Sequence, residues 1–210
     1  MKKTIYLTTI FILVSLSGFS QNKLSNTKTF NNYKFSVFTT YLSFSNFGKS
    51  ETNTQHYEIQ ARYHLSEKDA VGIKAAIWKL FAPMGIPIWD DQFLEEGSFY
   101  PGRIRETGVG ITYQRKLWKG LFSTLEILPL KTTYLDEFDT QIGSGFKLYN
   151  SYHLGYHIPL FKKGRFFIEP QLHINHWIVN TNVPQAFKDE EVKWNKYFLI
   201  EPNLYLGIKF

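Results

Sequence analysis

From Gln55 to Leu65 the chain reads QHYEIQARYHL, in which Tyr57, Ile59, Ala61, Tyr63 and Leu65 alternate with Glu58, Gln60, Arg62 and His64. A two-residue repeat sets the two groups on opposite faces of a β-strand, whereas a helix needs apolar residues three and four apart. The same pattern returns along the chain. Thr107, Val109, Ile111, Tyr113 and Leu117 oppose Glu106, Gly108, Gly110, Thr112, Gln114 and Lys116. Ile142, Phe146, Leu148, Tyr152, Leu154, Tyr156 and Ile158 oppose Lys147, Tyr149, Ser151, His153, Gly155 and His157. Phe166, Ile168, Pro170, Leu172 and Ile174 oppose Glu169, Gln171, His173 and Asn175. At the chain end Phe198, Ile200, Leu204, Leu206, Ile208 and Phe210 oppose Glu201, Asn203, Tyr205, Gly207 and Lys209. Weaker alternation marks Tyr33–Ser45, Val71–Trp78 and Leu121–Thr133. The reading is all-β, with eight strands near the roughly 9–11 residues that an inclined membrane strand needs.

Alternation alone does not say which face turns inward. A soluble sandwich or barrel also alternates, with its apolar side chains in the core. The minority face here carries Glu58, Arg62, His64, Lys74, Glu106, Glu126, Lys147, His153, His157, Glu169, His173 and Glu201. Its acids and bases nearly cancel, as expected of a closed polar interior in which each buried charge needs a partner. Connections alternate as well. Ser66–Ala70, Trp118–Gly120 and Pro159–Gly164 are short, while Asn46–Thr54, Lys79–Ile104, Tyr134–Thr140 and Val179–Asn195 are mostly longer. Short turns on one rim and long loops on the other predict a closed antiparallel transmembrane β-barrel with its long loops on the outer side. Eight strands are expected, with ten as the alternative if Lys79–Ile104 contributes a hairpin.

Register follows from keeping polar faces together. One hairpin is expected to pair His64 with Gly72, Arg62 with Lys74 and Glu58 with Trp78. The next pairs Gln114 with Thr124, Thr112 with Glu126 and Ile111 with Ile127. Aromatics, 18% of the chain, are expected in two interfacial bands. Trp118, Phe161, Phe166 and Phe210 belong at the short-turn rim; Tyr57, Tyr134, Trp177, Trp194 and Tyr197 belong at the long-loop rim.

The start, MKKTIYLTTIFILVSLSGFSQ, has a basic pair, a short apolar run and small residues before Gln21. It predicts a signal peptide over residues 1–20, then a polar leader over 21–32 and the barrel domain over 33–210. The net charge of +6 includes Lys2 and Lys3, leaving +4 after cleavage, too mild and scattered for nucleic acid. There is no cysteine, which removes disulfides, thiolate metal sites and a lipidated N-terminal cysteine.

The last ten residues, EPNLYLGIKF, resemble the C-terminal signature of bacterial outer-membrane β-barrel proteins through Tyr205, Ile208 and Phe210. That resemblance implies an outer-membrane location, membrane lipids as surroundings, and recognition of the final strand by the barrel-assembly machinery. His64, Leu65 and Ser66 are similar to the His-x-Ser element of outer-membrane lipid A deacylases, although His64 falls on the polar face at the short-turn rim. Ser50 and His56 invite comparison with barrel palmitoyltransferases.

His153 and His157 lie four apart on one strand, about 13 Å, too far to share a metal unless His173 or Glu169 crosses over. No cofactor is implied. The loop LFAPMGIPIWDDQFLEEGSFYPGR mixes three prolines with large apolar and acidic residues, which suits a lid over the barrel mouth or a protein-docking surface over Phe81–Tyr100. The leading expectation is a structural or interaction role without catalysis. An outer-leaflet lipid-modifying enzyme and a narrow channel are the alternatives.

Overall fold

The computed structural model describes residues 33–47, 55–81, 102–161, 164–193 and 197–210. The leader segments 1–20 and 21–32 and loop residues 82–101 lie outside them. The strands are β1 (Phe35–Thr40), β2 (Gln55–His64), β3 (Asp69–Phe81), β4 (Arg103–Trp118) and β5 (Leu121–Leu135). They continue with β6 (Gln141–Tyr156), β7 (Ile158–Leu160), β8 (Phe166–Asn180) and β9 (Tyr197–Lys209), with a helix α1 (Gln185–Lys193) before β9. Each strand runs antiparallel to its neighbours. β1 pairs with β9 through Ser36↔Lys209 to Thr40↔Tyr205, and β6 pairs with β8 through Lys147↔Asn180 to Gly155↔Gln171. Those two seams close a barrel of eight strands. β7 is the extra one: it continues the course of β6 beyond His157 and stays bonded to β8. β3 meets β4 directly from Asp69↔Arg115 to Phe81↔Arg103, so no further hairpin is inserted between them.

Two expectations about the strands and their pairing need correction. Alternation predicts a first strand over Tyr33–Ser45, yet it ends at Thr40 and Tyr41–Phe47 turns into a 3-10 helix. Thr40 Oγ1 accepts from Leu42 N at 3.2 Å and donates to Asn203 Oδ1 at 2.5 Å, which ends the strand. Asn46 then grips the start of β2, bonding His56 N and His56 O through its side chain. The second correction is register. β2 and β3 pair His64 with Ala70, Arg62 with Gly72 and Gln60 with Lys74, two residues from the expected alignment. The turn is tighter than that alignment needs: Leu65 N and Ser66 N both donate to Asp69 O, and Ser66 Oγ accepts from Lys68 N and Asp69 N. A two-residue slip preserves both faces, so alternation is blind to it. The β4–β5 pairs Gln114↔Thr124, Thr112↔Glu126 and Ile111↔Ile127 are as expected.

The barrel is turned inside out relative to a water-soluble one. Ile111 is 63% exposed and Val109 59%, whereas Glu106 and Glu126 are 0% exposed. Of the expected aromatic bands, Tyr57, Trp118, Phe161, Phe166 and Phe210 are exposed. Tyr134 and Trp177 are not part of them, since both are buried on the inward face. Trp194 lies outside the described residues, as does the Tyr197 side chain. Gly108 and Gly110 let β5 press close against β4: a Cβ at these positions would lie 2.1 Å from Pro129 O and 2.3 Å from Ile127 O.

Candidate functional site

The site with the densest chemistry is the barrel interior, which every strand supplies by its two-residue period. Near the short turns, Arg62 from β2 reaches Glu169 on β8 with two bonds, 3.0 and 3.2 Å, the fork geometry that suits guanidinium and carboxylate. Glu169 Oε1 also meets His157 Nδ1 at 2.8 Å, and Lys209 Nζ lies 2.7 Å from His157 Nε2. An ammonium only donates, so Nε2 accepts and Nδ1 carries the proton that goes to Glu169. Arg62 lies 4.2 Å from the centre of the Phe38 ring, adding a cation–π contact.

At mid-height Lys74 from β3 joins two strands' acids. Its Nζ lies 2.9 and 3.0 Å from the Glu126 oxygens on β5 and 3.0 Å from Glu58 Oε2 on β2. Glu58 Oε1 accepts from Gln60 Nε2 at 2.9 Å and from Tyr205 OH at 2.8 Å. His153 and His173 stack with centroids 3.7 Å apart. His173 Nε2 meets Gln171 Oε1 at 3.1 Å, and Gln171 Nε2 donates to Glu169, joining this level to the one below. Glu201 is held by amides, Asn175 Nδ2 at 3.1 Å and Asn203 Nδ2 at 3.4 Å. Nearer the long loops, Lys147 pairs with Glu106 and sits 5.0 Å over the Trp177 ring. Trp78, Tyr149 and Trp177 pack there with Ala76, Leu128 and Leu130. Above them Val183 and Phe187, from α1 and the segment before it, pack on Ile104 and Tyr134.

Thus Glu58, Arg62, Lys74, Glu126, His153, His157, Glu169 and His173 fall into one connected group, with Lys147 and Glu106 as a separate pair. Its two levels are joined where His153 Nε2 comes 3.9 Å from Glu126 Oε2 and His173 stacks on Tyr205. His64 stands apart, half-buried, with Ser36 Oγ 3.4 Å from its Nε2. Ser66 is turned away from it and bonds Asp69 Oδ2 at 3.0 Å, so the His-x-Ser element assembles no nucleophile and base. Ser50 lies outside the described residues, and His56 Nε2 instead faces Glu58 Oε2 at 3.5 Å. Among the described residues no three His, Asp or Glu side chains gather as a metal site. Of the terminal residues, Tyr205 is fully buried inward while Phe210 is 53% exposed; Phe210 N and O bond Phe35 across the β1–β9 seam at 2.8 and 3.2 Å.

Two ionic clusters at the rims escaped the sequence reading. At the short turns Asp69 Oδ1 takes bonds from Tyr113 OH and Arg115, each 2.6 Å. At the long loops Asp139 binds Lys79 at 2.7 Å and Arg103 at 3.3 Å. The signal was present: Lys79, Arg103 and Arg115 occupy outward parity, where apolar residues are expected. An apolar groove of about 580 Å³ crosses the outward face in the short-turn half, over Ala61, Ile73 and Ile111. Neither the protein-family models nor the curated proteins compared with the chain gave a match.

Proposed function

We propose that this chain is an integral protein of a bacterial outer membrane, a filled barrel that anchors and presents its long outer loops to a partner and carries out no catalysis of its own. The observation that carries the reading is the inversion of the two faces: paired, buried charge within and exposed aliphatic side chains without. In water such a surface would aggregate, since exposed apolar patches of this extent mark contact with another apolar phase. In a bilayer it is the expected surface of a closed barrel, whose ladders leave no unpaired edge in hydrocarbon.

The filled interior separates this role from the channel alternative. Eight strands leave room for side chains alone, and Lys74–Glu126 and Arg62–Glu169 bond across that space. The deacylase form of the lipid-modifying alternative loses its His64–Ser66 pair to the Ser66–Asp69 bond, while Ser50, of the acyltransferase form, lies outside the described residues. The docking surface would be the loop over Phe81–Tyr100, with its apolar and acidic residues between prolines. Crosslinking in intact cells followed by purification in mild detergent tests this. A specific protein should accompany the full chain and be lost when residues 84–98 are replaced by a Gly/Ser linker with the barrel still folded. Steady single-channel conductance in a planar bilayer, altered by Glu126→Gln, would overturn the role in favour of a channel.

A further inference from the structure

We infer that the outward face of β3–β5, at the long-loop rim, is a docking site for a membrane lipid whose headgroup carries a phosphate monoester. The inference rests on the membrane reading proposed above. Its starting point is an electrostatic conflict in the ladder. Lys79 on β3 is directly opposite Arg105 on β4, and both have the outward parity of Ile77 and Val109. Directly opposed Cβ atoms are about 5 Å apart, and like charges there are destabilising. Arg103 adds a third cation two residues along β4, and Lys131, opposite Thr107 on β5, adds a fourth.

Among the described residues the compensation is partial. Asp139 serves Lys79 and Arg103. Asp136 Oδ1 is taken by the amides of Phe138 and Thr140 in its own turn. Glu137 offers its backbone carbonyl to Arg103 at 3.4 Å. Arg105 and Lys131 are exposed, and neither has an ion-pair partner among the described residues. Between them stand hydroxyls: Thr133 is opposite Arg105, and Thr107 is opposite Lys131. A guanidinium, an ammonium and two hydroxyls on adjacent strands match the three acceptor oxygens and double charge of a phosphomonoester.

The surroundings select a lipid over a free anion. Below the cations the same face continues into Val109, Ile111 and Phe146, all exposed. A headgroup at Arg105 therefore places its chains along an apolar wall. Dissolved phosphate gains only the charged part of the site and meets screening by salt.

Native mass spectrometry of the purified full chain in detergent, with added dioleoyl phosphatidic acid or dioleoyl phosphatidylcholine, tests the inference. Retention of phosphatidic acid over phosphatidylcholine is expected, with a loss of about tenfold or more in Arg105→Gln/Lys131→Gln. Lys116→Gln, at the opposite rim, should leave it unchanged, and millimolar inorganic phosphate should not compete. Equal retention of both lipids, an unaffected double variant, or displacement by inorganic phosphate would overturn the site. Heat-dependent gel mobility of each variant reports the folded barrel. A wild-type chain that stays dispersed and folded without detergent would overturn the membrane reading instead.

Discussion

Lys74 shows what a single side chain does in this interior. Its ammonium holds Glu58 and Glu126 at about 3 Å, where two carboxylates would otherwise share a space out of water. Removing one partner of a buried pair leaves uncompensated charge and costs about 3–5 kcal/mol, more than the intact pair contributes over an apolar replacement. Lys74→Met should therefore lower the free energy of unfolding from lipid vesicles by an amount in that range, obtained from urea titration read by tryptophan fluorescence. Adding Glu126→Gln to it should restore part of the loss, the non-additivity expected of contacting groups. A single variant within about 0.5 kcal/mol of the parent would show that the cluster is hydrated or already neutral. The inward position of Lys74 is legible in the sequence, because parity fixes the face. Its choice of Glu126 and Glu58 is not: Glu58 comes within reach through the β2–β3 register, and Glu126 lies two strands along on β5.

At the scale of elements, strands and turns differ in how plainly the chain announces them. β2, β4, β6, β8 and β9 are visible from alternation, since each has one aliphatic outward face and one polar inward face. The β4–β5 register is visible too, because the short turn around Lys119–Gly120 and the parity of the two faces together leave one alignment, which the chain reaches through a bulge between Lys116 and Trp118. The β2–β3 register is not, since Ser66 ties its turn two residues tighter than the alternation requires. α1 is also silent in sequence. Nine residues, QAFKDEEVK, have too few apolar positions to define a helical face, and its place is set by Phe187 against Tyr134, ring centroids 5.1 Å apart. The loop after β3, which suits a lid or a docking surface, lies outside the described residues; the described cover at this rim comes from Val183 and Phe187. Phe187→Ala should release α1 without opening the barrel. Hydrogen exchange is expected to rise across Gln185–Lys193 while the β4 and β5 amides stay protected. Loss of protection in β4 would mean that α1 holds the wall as well as covering it.

For the whole molecule, one length joins the fold to its setting. Arg105 and Arg115 both have outward parity on β4 and stand ten residues apart, with Thr107, Val109, Ile111 and Tyr113 between them. At about 3.4 Å per residue and a tilt near 40°, that separation is about 25 Å along the barrel axis, the height of the apolar band of an outer-membrane barrel. The barrel architecture was legible because inversion of the two faces repeats in almost every strand. A partner for the proposed docking loop is not legible, because the loop sequences follow no period. The central claim is that lipid touches the aliphatic face. The chain has no cysteine, so one spin label at Ile111→Cys, with another at Lys119→Cys as the turn control, reports that contact directly. In lipid nanodiscs the Ile111 label should collide readily with oxygen and scarcely with a water-soluble nickel chelate, with the reverse at Lys119. An Ile111 label open to the nickel chelate, or immobilised in a dry protein core closed to both, would contradict the account.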